Sequence, residues 1–395
     1  MTYTNLAKAV TDANSIGGLV EMDDGTYDGL GSRGALTKAN TIFKAKNQGK
    51  AILKGAPIDI KAQGIEFSGF DIQYSISEDY IHLESTCKLL NNKIHMANLT
   101  TQKWILANDP DITIAGNEIY NKTTTDDIIT VNEPGVKIQN NYIHDQTGTG
   151  TTTEAIRLGA SSLRTVDFHS DVSGNTFERI KADTELITVK SCNNDIHDNI
   201  FRDNKSSPTF RHGRNNKFRN NKLENTGLRI YGKGHTVTGN NFKRDSNSQL
   251  LQIVVGNGEW AEEEQNTNAG YTQVRDLTFD NNWIDAEDST DLVIFCWGYD
   301  AGRSLKPINN KVTNNKILGS KGILANSHDG ASWNNNTISS NMLWNTGTAK
   351  LGDMPTSGYV RQDPNAVTPP PVLTIEQRVK ALEDEMVIIK QKLGI

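Results

Sequence analysis

A short motif that returns along most of the chain is the strongest constraint on how this sequence can fold. Each copy is an asparagine, then any residue, then isoleucine, leucine or phenylalanine. The asparagines of these copies are Asn92, Asn117, Asn141, Asn175, Asn199, Asn221, Asn240, Asn282, Asn315 and Asn341. Most intervals between them are 19 to 26 residues, and a period of that length is typical of a solenoid.

Within each copy the apolar and polar residues alternate, as in VKIQNNYI and HTVTGNNF, which is the pattern of strands. Three short strands per copy predict an all-β fold, a right-handed parallel β-helix. Leucine-rich repeats share the period, but their spaced leucines are missing. We interpret the intervals of 34 and 33 residues as single turns with long loops, and the interval of 42 as about two periods. Asparagine suits the repeated corner because it tolerates left-handed backbone and can bond to its neighbours along a ladder.

Both ends of the repeat region carry sequences suited to capping a solenoid. Residues 4–14 predict a short amphipathic helix over the first coil, and residues 17–29 the opening strand and turn. We therefore expect a β-helix domain over residues 1–355.

The last 40 residues differ from the repeat region in composition. Residues 356–373 predict a proline-rich linker. Residues 374–395 open with a capping box at Thr374 and Gln377 and then place apolar residues at heptad spacing. This pattern predicts a short coiled-coil helix that makes a homo-oligomer and favours a trimer. A helix folded back onto the β-helix is the alternative.

Composition restricts the partners. The net charge of −6 argues against a general nucleic-acid binder. The three cysteines, Cys87, Cys192 and Cys296, are widely spaced, so they indicate neither a disulfide framework nor a zinc site.

No segment has the apolar character of a signal peptide or a membrane span. We expect no membrane partner, and a secreted, extracellular or virion-associated protein exported by a route that the sequence does not define.

Charged residues of three successive repeats should meet on one wall of such a solenoid. The segments are ADTELITVKS (182–191), RHG (211–213) and LRIYGKGH (228–235). They carry an amine, guanidinium groups and imidazoles. That combination suits removal of a proton next to a carboxylate in an acidic polysaccharide.

These segments, together with EAIRLG (154–159), resemble polysaccharide lyase family 6, which contains alginate lyases and chondroitinase B. The resemblance covers roughly residues 1–350 and implies β-elimination. It implies Lys190 as the base that removes the C5 proton of a uronate and Arg211 as the assisting catalytic residue. Arg211 and partial burial should lower the pKa of Lys190. We assign His212, Arg229, His235, Arg157 and Tyr231 to substrate binding.

The resemblance also bears on calcium. Calcium-dependent members pair two acidic residues before the lysine with an upstream asparagine, and Asp183 and Glu185 occupy the acidic positions here. Thr151, Thr152 and Thr153 stand where the asparagine is expected. We therefore expect an incomplete calcium site and no required cofactor.

Alginate is the predicted substrate, because no cluster suited to binding sulfate is visible. Three alternatives stay open: a lyase of dermatan sulfate or chondroitin, a non-cleaving fibre like a phage tailspike that binds polysaccharide, and a glycoside hydrolase on the same fold. A hydrolase would need paired carboxylates, whereas the aspartates near Lys190 are scattered. A binding fibre would need neither Lys190 nor Arg211.

Overall fold

The structure is a computed structural model of the chain. It describes residues 1–29, 33–55, 57–74, 81–96, 103–148, 150, 152–181, 183–244, 252–266, 270–285, 293–297, 303–318, 326–327, 335–344 and 359–362.

Short strands in these residues form three parallel sheets. The first sheet contains Thr2–Tyr3, Leu19–Met22, Ile42–Ala45, Glu66–Ser68, Lys88–Leu90, Thr113–Ala115, Lys137–Gln139, Asp171–Ser173, Asp195–His197, Lys217–Arg219, Thr236–Thr238, Thr278–Asp280, Lys311–Thr313 and Thr337–Ser339. The second contains Gly25–Asp28, Ala51–Lys54, Asp71–Tyr74, Lys93–Met96, Glu118–Tyr120, Tyr142–His144, Thr176–Glu178, Ile200–Arg202, Lys222–Glu224, Asn241–Lys243, Trp283–Asp285, Lys316–Leu318, Asn341–Trp344 and Tyr359–Gln362. The third contains Gly34–Leu36, Ile58–Ile60, Ile81–Leu83, Ile105–Ala107, Ile129–Val131, Ile156–Leu158, Glu185–Val189, Ser207–Phe210, Leu228–Ile230, Gln252–Val255, Val293–Trp297 and Asn326–Ser327.

Each coil contributes one strand to the third sheet, then one to the first, then one to the second. Most three-residue strands of the first and second sheets bury their middle residue, which points into the coil, and leave its neighbours partly exposed. Apolar side chains of successive coils therefore stack along the interior, as Phe177 does on Phe201 with ring centroids 5.0 Å apart. Burial of each such side chain contributes about 1.5–3 kcal/mol. The predicted right-handed parallel β-helix is confirmed.

The recurring asparagines form one continuous hydrogen-bonded ladder inside the corner between the first and second sheets. Asn199 is typical. Its Oδ1 accepts the backbone N–H of Asn175 at 2.9 Å, and its Nδ2 donates to the carbonyl of Val172 at 2.8 Å. The same bond to the next asparagine runs from Asn92 to Asn341. Loss of one member would leave buried backbone groups unpaired, at about 1–3 kcal/mol each.

Left-handed backbone at this corner belongs to a different residue from the one we predicted. The residue before each ladder asparagine has positive φ, such as Asn140 at 54° and Asn220 at 53°. The ladder asparagines themselves are absent from that set. The corner thus uses two positions: the first bends the chain, and the second supplies the hydrogen bonds.

The interval of 42 residues is one coil, which corrects our interpretation of two periods. Asn240 bonds directly to Asn282 through its backbone N–H at 3.0 Å. A single coil with strands Gln252–Val255 and Thr278–Asp280 lies between them, and the extra residues form an insertion after the first of these strands. The intervals of 34 and 33 residues are also single coils, as predicted.

The predicted N-terminal helix is present as Leu6–Ser15. The Asn5 side chain caps it by accepting the backbone N–H of Lys8 at 2.8 Å, and buried Ala9 and Ala13 face the first coils. Two 3-10 helices, Ser161–Leu163 and Glu263–Gln265, lie near the candidate site. Among the described residues, no helix is long and apolar enough to span a membrane.

The chain divides into two compact units, Met1–Arg361 and Gln362–Ile395. Apart from Gln362, the second unit lies outside the described residues, and so do the predicted linker beyond that residue and the predicted coiled coil. Cys87 and Cys192 are buried free thiols.

Candidate active site

Four basic side chains of consecutive coils gather on the third sheet, and we call Arg157, Lys190, Arg211 and Arg229 the cationic wall. Arg157 and Arg229 lie on strands, at positions joined through two threonines in the register Arg157, Thr188, Thr209, Arg229. Lys190 and Arg211 directly follow the paired residues Val189 and Phe210. The stacking of coils therefore places the amine and the guanidinium side by side, as the sequence predicted.

A row of three buried carboxyl groups lies at the beginning of neighbouring strands of the third sheet, and we call it the acidic row. Asp127, Glu154 and Glu185 each precede by two the residues that pair in the register Ile129, Ile156, Ile187. Each is at most 3% exposed. Burial of carboxylates is costly unless cations or donors face them, and the cationic wall supplies those partners.

Each member of the cationic wall has a carboxylate oxygen of the acidic row within 4 Å. Arg157 Nη1 lies 3.3 Å from Asp127 Oδ2, and Lys190 Nζ lies 3.8 Å from Glu154 Oε1. Arg211 Nη1 and Arg229 Nη1 lie 3.0 and 3.3 Å from the same oxygen, Oε1 of Glu185. Two guanidinium groups therefore share one carboxylate.

Lys190 is held where its ammonium form is disfavoured. Its side chain is 15% exposed. Burial is the largest cause that lowers the pKa of Lys190, and the positive charges of Arg211 and Arg157 lower it further, against opposing contributions from Glu154 and Glu185. The direction agrees with our prediction, but burial outweighs the repulsion by Arg211 that we placed first.

The backbone around Arg211 is fixed by a close approach between coils. Gly213 has φ of 86°, and a Cβ there would lie 2.1 Å from the carbonyl oxygen of Ser191. Glycine is therefore required in RHG. The guanidinium carbon of Arg211 also lies 5.0 Å from the ring centroid of Tyr271, which belongs to the long insertion.

The insertion between Gln252–Val255 and Thr278–Asp280 also closes over His212. Glu263 Oε1 accepts the backbone N–H of Gly213 at 3.0 Å, and Glu263 Oε2 lies 3.7 Å from Nδ1 of His212. His212 is fully buried, and burial together with Arg211 and Lys190 lowers its pKa to about 3. His212 is therefore a neutral, enclosed neighbour of the cationic wall, and the predicted direct contact with substrate does not fit this position.

His235 and Tyr231 also lie away from any surface that a polymer could reach, which corrects their assignment to substrate binding. His235 Nδ1 accepts the backbone N–H of Asn216 at 3.1 Å, and Nε2 donates to the carbonyl of Tyr231 at 2.8 Å. Burial lowers the pKa of His235 to about 4. Tyr231 is 0% exposed, beneath Tyr271 at a centroid distance of 4.1 Å and close to Arg303.

The residues at the predicted calcium positions do not fit that ion. Glu185, which should ligate it, is already bonded by Arg211 and Arg229, and their positive charges oppose a divalent cation at the same oxygen. The Asp183 carboxylate accepts hydrogen bonds from the backbone N–H and hydroxyl of Thr184. Thr151 lies outside the described residues.

Sequence reasoning missed Asp127, Glu154, Glu263 and Tyr271. Glu154 could have been found, because it stands two residues before Ile156 as Glu185 stands two residues before Ile187, and because it belongs to the conspicuous segment EAIRLG. Glu263 and Tyr271 reach the site through the fold of the insertion. Since the insertion lies outside the repeat, the repeat pattern does not predict where its residues lie.

Fold and charge distribution together define the class: this is a right-handed parallel β-helix protein with a cationic wall on its third sheet. The model of one family, Chondroitinase B, matches residues 2–354, and the chain belongs to this family of polysaccharide lyases. The resemblance to polysaccharide lyase family 6 is thereby confirmed. No curated protein matches the chain.

Several solved structures share the fold. A mannuronic acid-specific polysaccharide family 6 lyase from human gut microbiota is 20% identical, with a TM-score of 0.75, over 96% of this chain and 94% of that one. The PL6 family polysaccharide lyase Pedsa3628 from Pseudopedobacter saltans is 20% identical, with a TM-score of 0.64, over 93% and 94%. The PL6 family alginate lyase AlyGC is 20% identical, with a TM-score of 0.69, over 92% of this chain and 53% of that one.

Proposed function

We propose that this protein cleaves alginate by β-elimination. The neutral amine of Lys190 removes the proton from C5 of a uronate. The electrons form the C4–C5 double bond as the C4–O4 bond breaks, Arg211 assists on the carboxylate or leaving-oxygen side, and the departing O4 takes up a proton from water. The products are a new chain end at O4 and an unsaturated uronate end.

The position of Lys190 is the observation that carries this proposal. A lysine acts as a base only when it is neutral, and burial beside two guanidinium groups favours the neutral form. Arg211, one coil away, keeps a fixed positive charge because a guanidinium does not deprotonate at working pH. Base and cation thus stand side by side without competing for the same proton.

The rest of the cationic wall suits the substrate. Removal of the C5 proton builds charge on the neighbouring carboxylate, and fixed cations stabilise that charge best where water is partly excluded. Arg157 and Arg229 have side chains 19% and 21% exposed, so each is held by its carboxylate partner yet reachable from outside. We assign both to binding uronate carboxylates along the polymer.

Alginate is preferred over dermatan sulfate on two grounds. Solved structures with the same fold include a mannuronic acid-specific lyase and several alginate lyases, although their identity to this chain is only 16 to 20%. The four basic residues of the wall also face three buried carboxyl groups, which leaves little surplus charge for an additional sulfate. Because such polymers lie outside cells, we propose an extracellular or virion-borne site of action.

The test is near-ultraviolet absorbance while the protein is incubated with alginate and, separately, with dermatan sulfate. We expect absorbance to rise with alginate, because the unsaturated uronate end absorbs there and a hydrolysis product does not. A rise with dermatan sulfate alone would keep the chemistry and replace the substrate. Folded protein that binds alginate without any rise would overturn the lyase proposal in favour of a binding fibre.

We further propose that the reaction needs no calcium, because Arg211 and Arg229 occupy the place where the ion would neutralise charge. Initial rates on alginate should change less than about twofold when a calcium chelator or excess calcium is added. Loss of most activity in the chelator, restored by calcium, would contradict this proposal while leaving the lyase assignment intact.

A further inference from the structure

The carboxyl groups of Asp127 and Glu154 form an unusual pair directly behind Lys190. Asp127 is 0% and Glu154 2% exposed. One oxygen of each, Oδ1 of Asp127 and Oε2 of Glu154, is buried and meets no hydrogen-bond donor. The two residues hold equivalent positions on adjacent coils, each two residues before the paired Ile129 and Ile156, and the backbone N–H between them, that of Ile128, donates to the carbonyl of Glu154 at 3.0 Å. Side by side in this way, the carboxyl groups form a hydrogen bond that contributes to a raised pKa of Glu154. Two carboxylates cannot bond in this way unless one of them carries a proton.

Neighbouring contacts indicate which member is ionised. The other oxygen of Asp127, Oδ2, accepts the hydroxyl of Thr130 at 2.8 Å and lies 3.3 Å from Arg157 Nη1. The buried ammonium of Lys122 adds positive charge near Asp127. These partners stabilise the carboxylate form of Asp127, so the shared proton belongs on Glu154.

Glu154 meets weaker partners. Its Oε1 lies 3.2 Å from the hydroxyl of Thr188, which has a shorter contact of 2.8 Å to Glu185, and 3.8 Å from Lys190 Nζ. Burial and the hydrogen bond to Asp127 raise the pKa of Glu154 to about 8. A protonated Glu154 leaves the amine beside it without an ionic partner.

We propose that Asp127 and Glu154 share one proton in a buried acid–carboxylate pair, and that this pair is a positioning element that keeps Lys190 neutral. The inference rests on the proposed role of Lys190 as base. The proton stays on the pair throughout, and Lys190 alone accepts the C5 proton. An ionised Glu154 would instead hold Lys190 as an ammonium ion, which has no lone pair to act as a base.

The other charges that face Lys190 do not replace this effect. Glu185, from its own coil, favours the ammonium form, but its carboxylate is bonded by Arg211 and Arg229. Arg211 and Arg157 favour the neutral amine. Among the described residues that act on Lys190, Glu154 is therefore the carboxyl group whose protonation decides whether the amine is neutral or an ammonium ion.

The first experiment needs no turnover. Infrared spectra of the wild-type protein at pH 7 should contain the carbonyl stretch of protonated carboxyl groups, and Glu154→Gln should weaken that band, leaving the part due to Glu263, whose pKa burial raises to about 7. Glu178→Gln, which removes a carboxylate bonded by arginines on the second sheet, should leave the band unchanged. Absence of the band from folded wild-type protein, or an undiminished band in Glu154→Gln, would overturn the proposal.

The second experiment follows the amine itself. Acetylation of Lys190, measured by peptide mass spectrometry between pH 6 and 9, reports the neutral fraction of the amine. Asp127→Asn removes the ionised acceptor, so Glu154 ionises more readily and the acetylation rate at a given pH should fall about tenfold, equivalent to one pKa unit. Glu154→Gln should acetylate at least as fast as wild type.

The double variant Asp127→Asn, Glu154→Gln distinguishes two causes of slower acetylation in Asp127→Asn: ionisation of Glu154, or a disturbance of folding by the loss of Asp127. It should acetylate like Glu154→Gln, because no carboxylate remains to trap the ammonium form. An equal loss in the double variant and in Asp127→Asn would show that Asp127 acts only through folding, and would overturn the proposal. If the protein shows no lyase activity but the infrared and acetylation results agree with expectation, the shared proton and its effect on Lys190 are established independently of the proposed function. If the lyase function holds, the pH at which kcat/KM rises should be higher in Asp127→Asn than in wild type, because the same ammonium form that slows acetylation also removes the base.

Discussion

At the residue scale, the pairing of Lys190 with Arg211 followed from sequence spacing, whereas the roles of their neighbours did not. Stacked coils bring together residues that follow equivalent strand ends, so a one-dimensional period is enough to predict this contact. Burial is a three-dimensional property. His212 and Tyr231 stand beside the cationic wall in sequence, yet Glu263 and Tyr271 of the insertion cover them.

Substitution of Lys190 tests the proposed base. Lys190→Ala should lower the rate of absorbance increase on alginate by roughly 10²- to 10⁴-fold, the contribution typical of a positioned general base. The thermal unfolding midpoint should change little, because among the described residues the Lys190 amine makes no side-chain hydrogen bond and its contact with Glu154 is long, at 3.8 Å.

Lys217→Ala provides the matched control. Lys217 is an exposed lysine on the first sheet, remote from the cationic wall in the coil. Its removal should leave both rate and unfolding midpoint near the wild-type values. Substantial turnover by folded Lys190→Ala would exclude Lys190 as the base.

At the element scale, the ladders of side-chain hydrogen bonds explain why this fold tolerates so many buried polar residues. A second ladder links the third and first sheets through Asn194 and Asn216, whose side-chain oxygens accept backbone N–H groups of the preceding coils at 3.1 and 2.9 Å. His235 takes the next place, because its Nδ1 occupies the role of an asparagine oxygen. The imidazole that sequence reasoning gave to substrate is a structural substitute for asparagine.

This substitution makes stability depend on pH. An unfolded histidine titrates near pH 6.5, whereas His235 has a pKa of about 4 in the folded protein. Below pH 6.5 the unfolded chain binds a proton that the folded chain does not, so stability falls with decreasing pH until about pH 4. The loss attributable to His235 is at most about 3 kcal/mol.

His235→Asn should therefore reduce the loss of unfolding free energy between pH 7 and pH 4.5, measured by urea denaturation, while keeping the ladder bond to Asn216. His212 should maintain part of the dependence, because its pKa is lowered to about 3. The exposed residue His169 supplies the control, and His169→Asn should leave the dependence unchanged. An unaltered pH dependence in His235→Asn would contradict this account.

At the scale of the whole molecule, the sequence pattern predicted the architecture because each coil repeats the same few requirements. Strand alternation, a bending residue and a ladder asparagine recur at nearly constant spacing. The 42-residue interval was misinterpreted for the same reason. A long insertion and a repeat that has lost its motif give equal spacing, and the hydrogen bond from Asn240 to Asn282 distinguishes them.

The predicted helical tail leads to a prediction about assembly. Truncation after residue 365 should reduce the mass in solution, measured by light scattering, from an oligomer to a monomer. Activity on alginate should stay within about twofold, because the cationic wall belongs to the unit that ends at Arg361. An unchanged mass after truncation would contradict oligomerisation through the predicted coiled-coil helix. A large loss of activity would show that the tail contributes to the site.

Because coils stack one on another, the number of coils in such a protein can change independently of the spacing between Lys190 and Arg211. The spacing between Lys190 and Arg211 is set by the backbone repeat of neighbouring strands, about 4.8 Å, and each coil contacts only the coils beside it. Coils gained or lost outside residues 127–275 would lengthen or shorten the third sheet without moving Lys190 or Arg211. Under the proposed function, the number of sugar units that the protein accommodates could therefore diversify by duplication of coils while the arrangement of Lys190 and Arg211 is inherited unchanged.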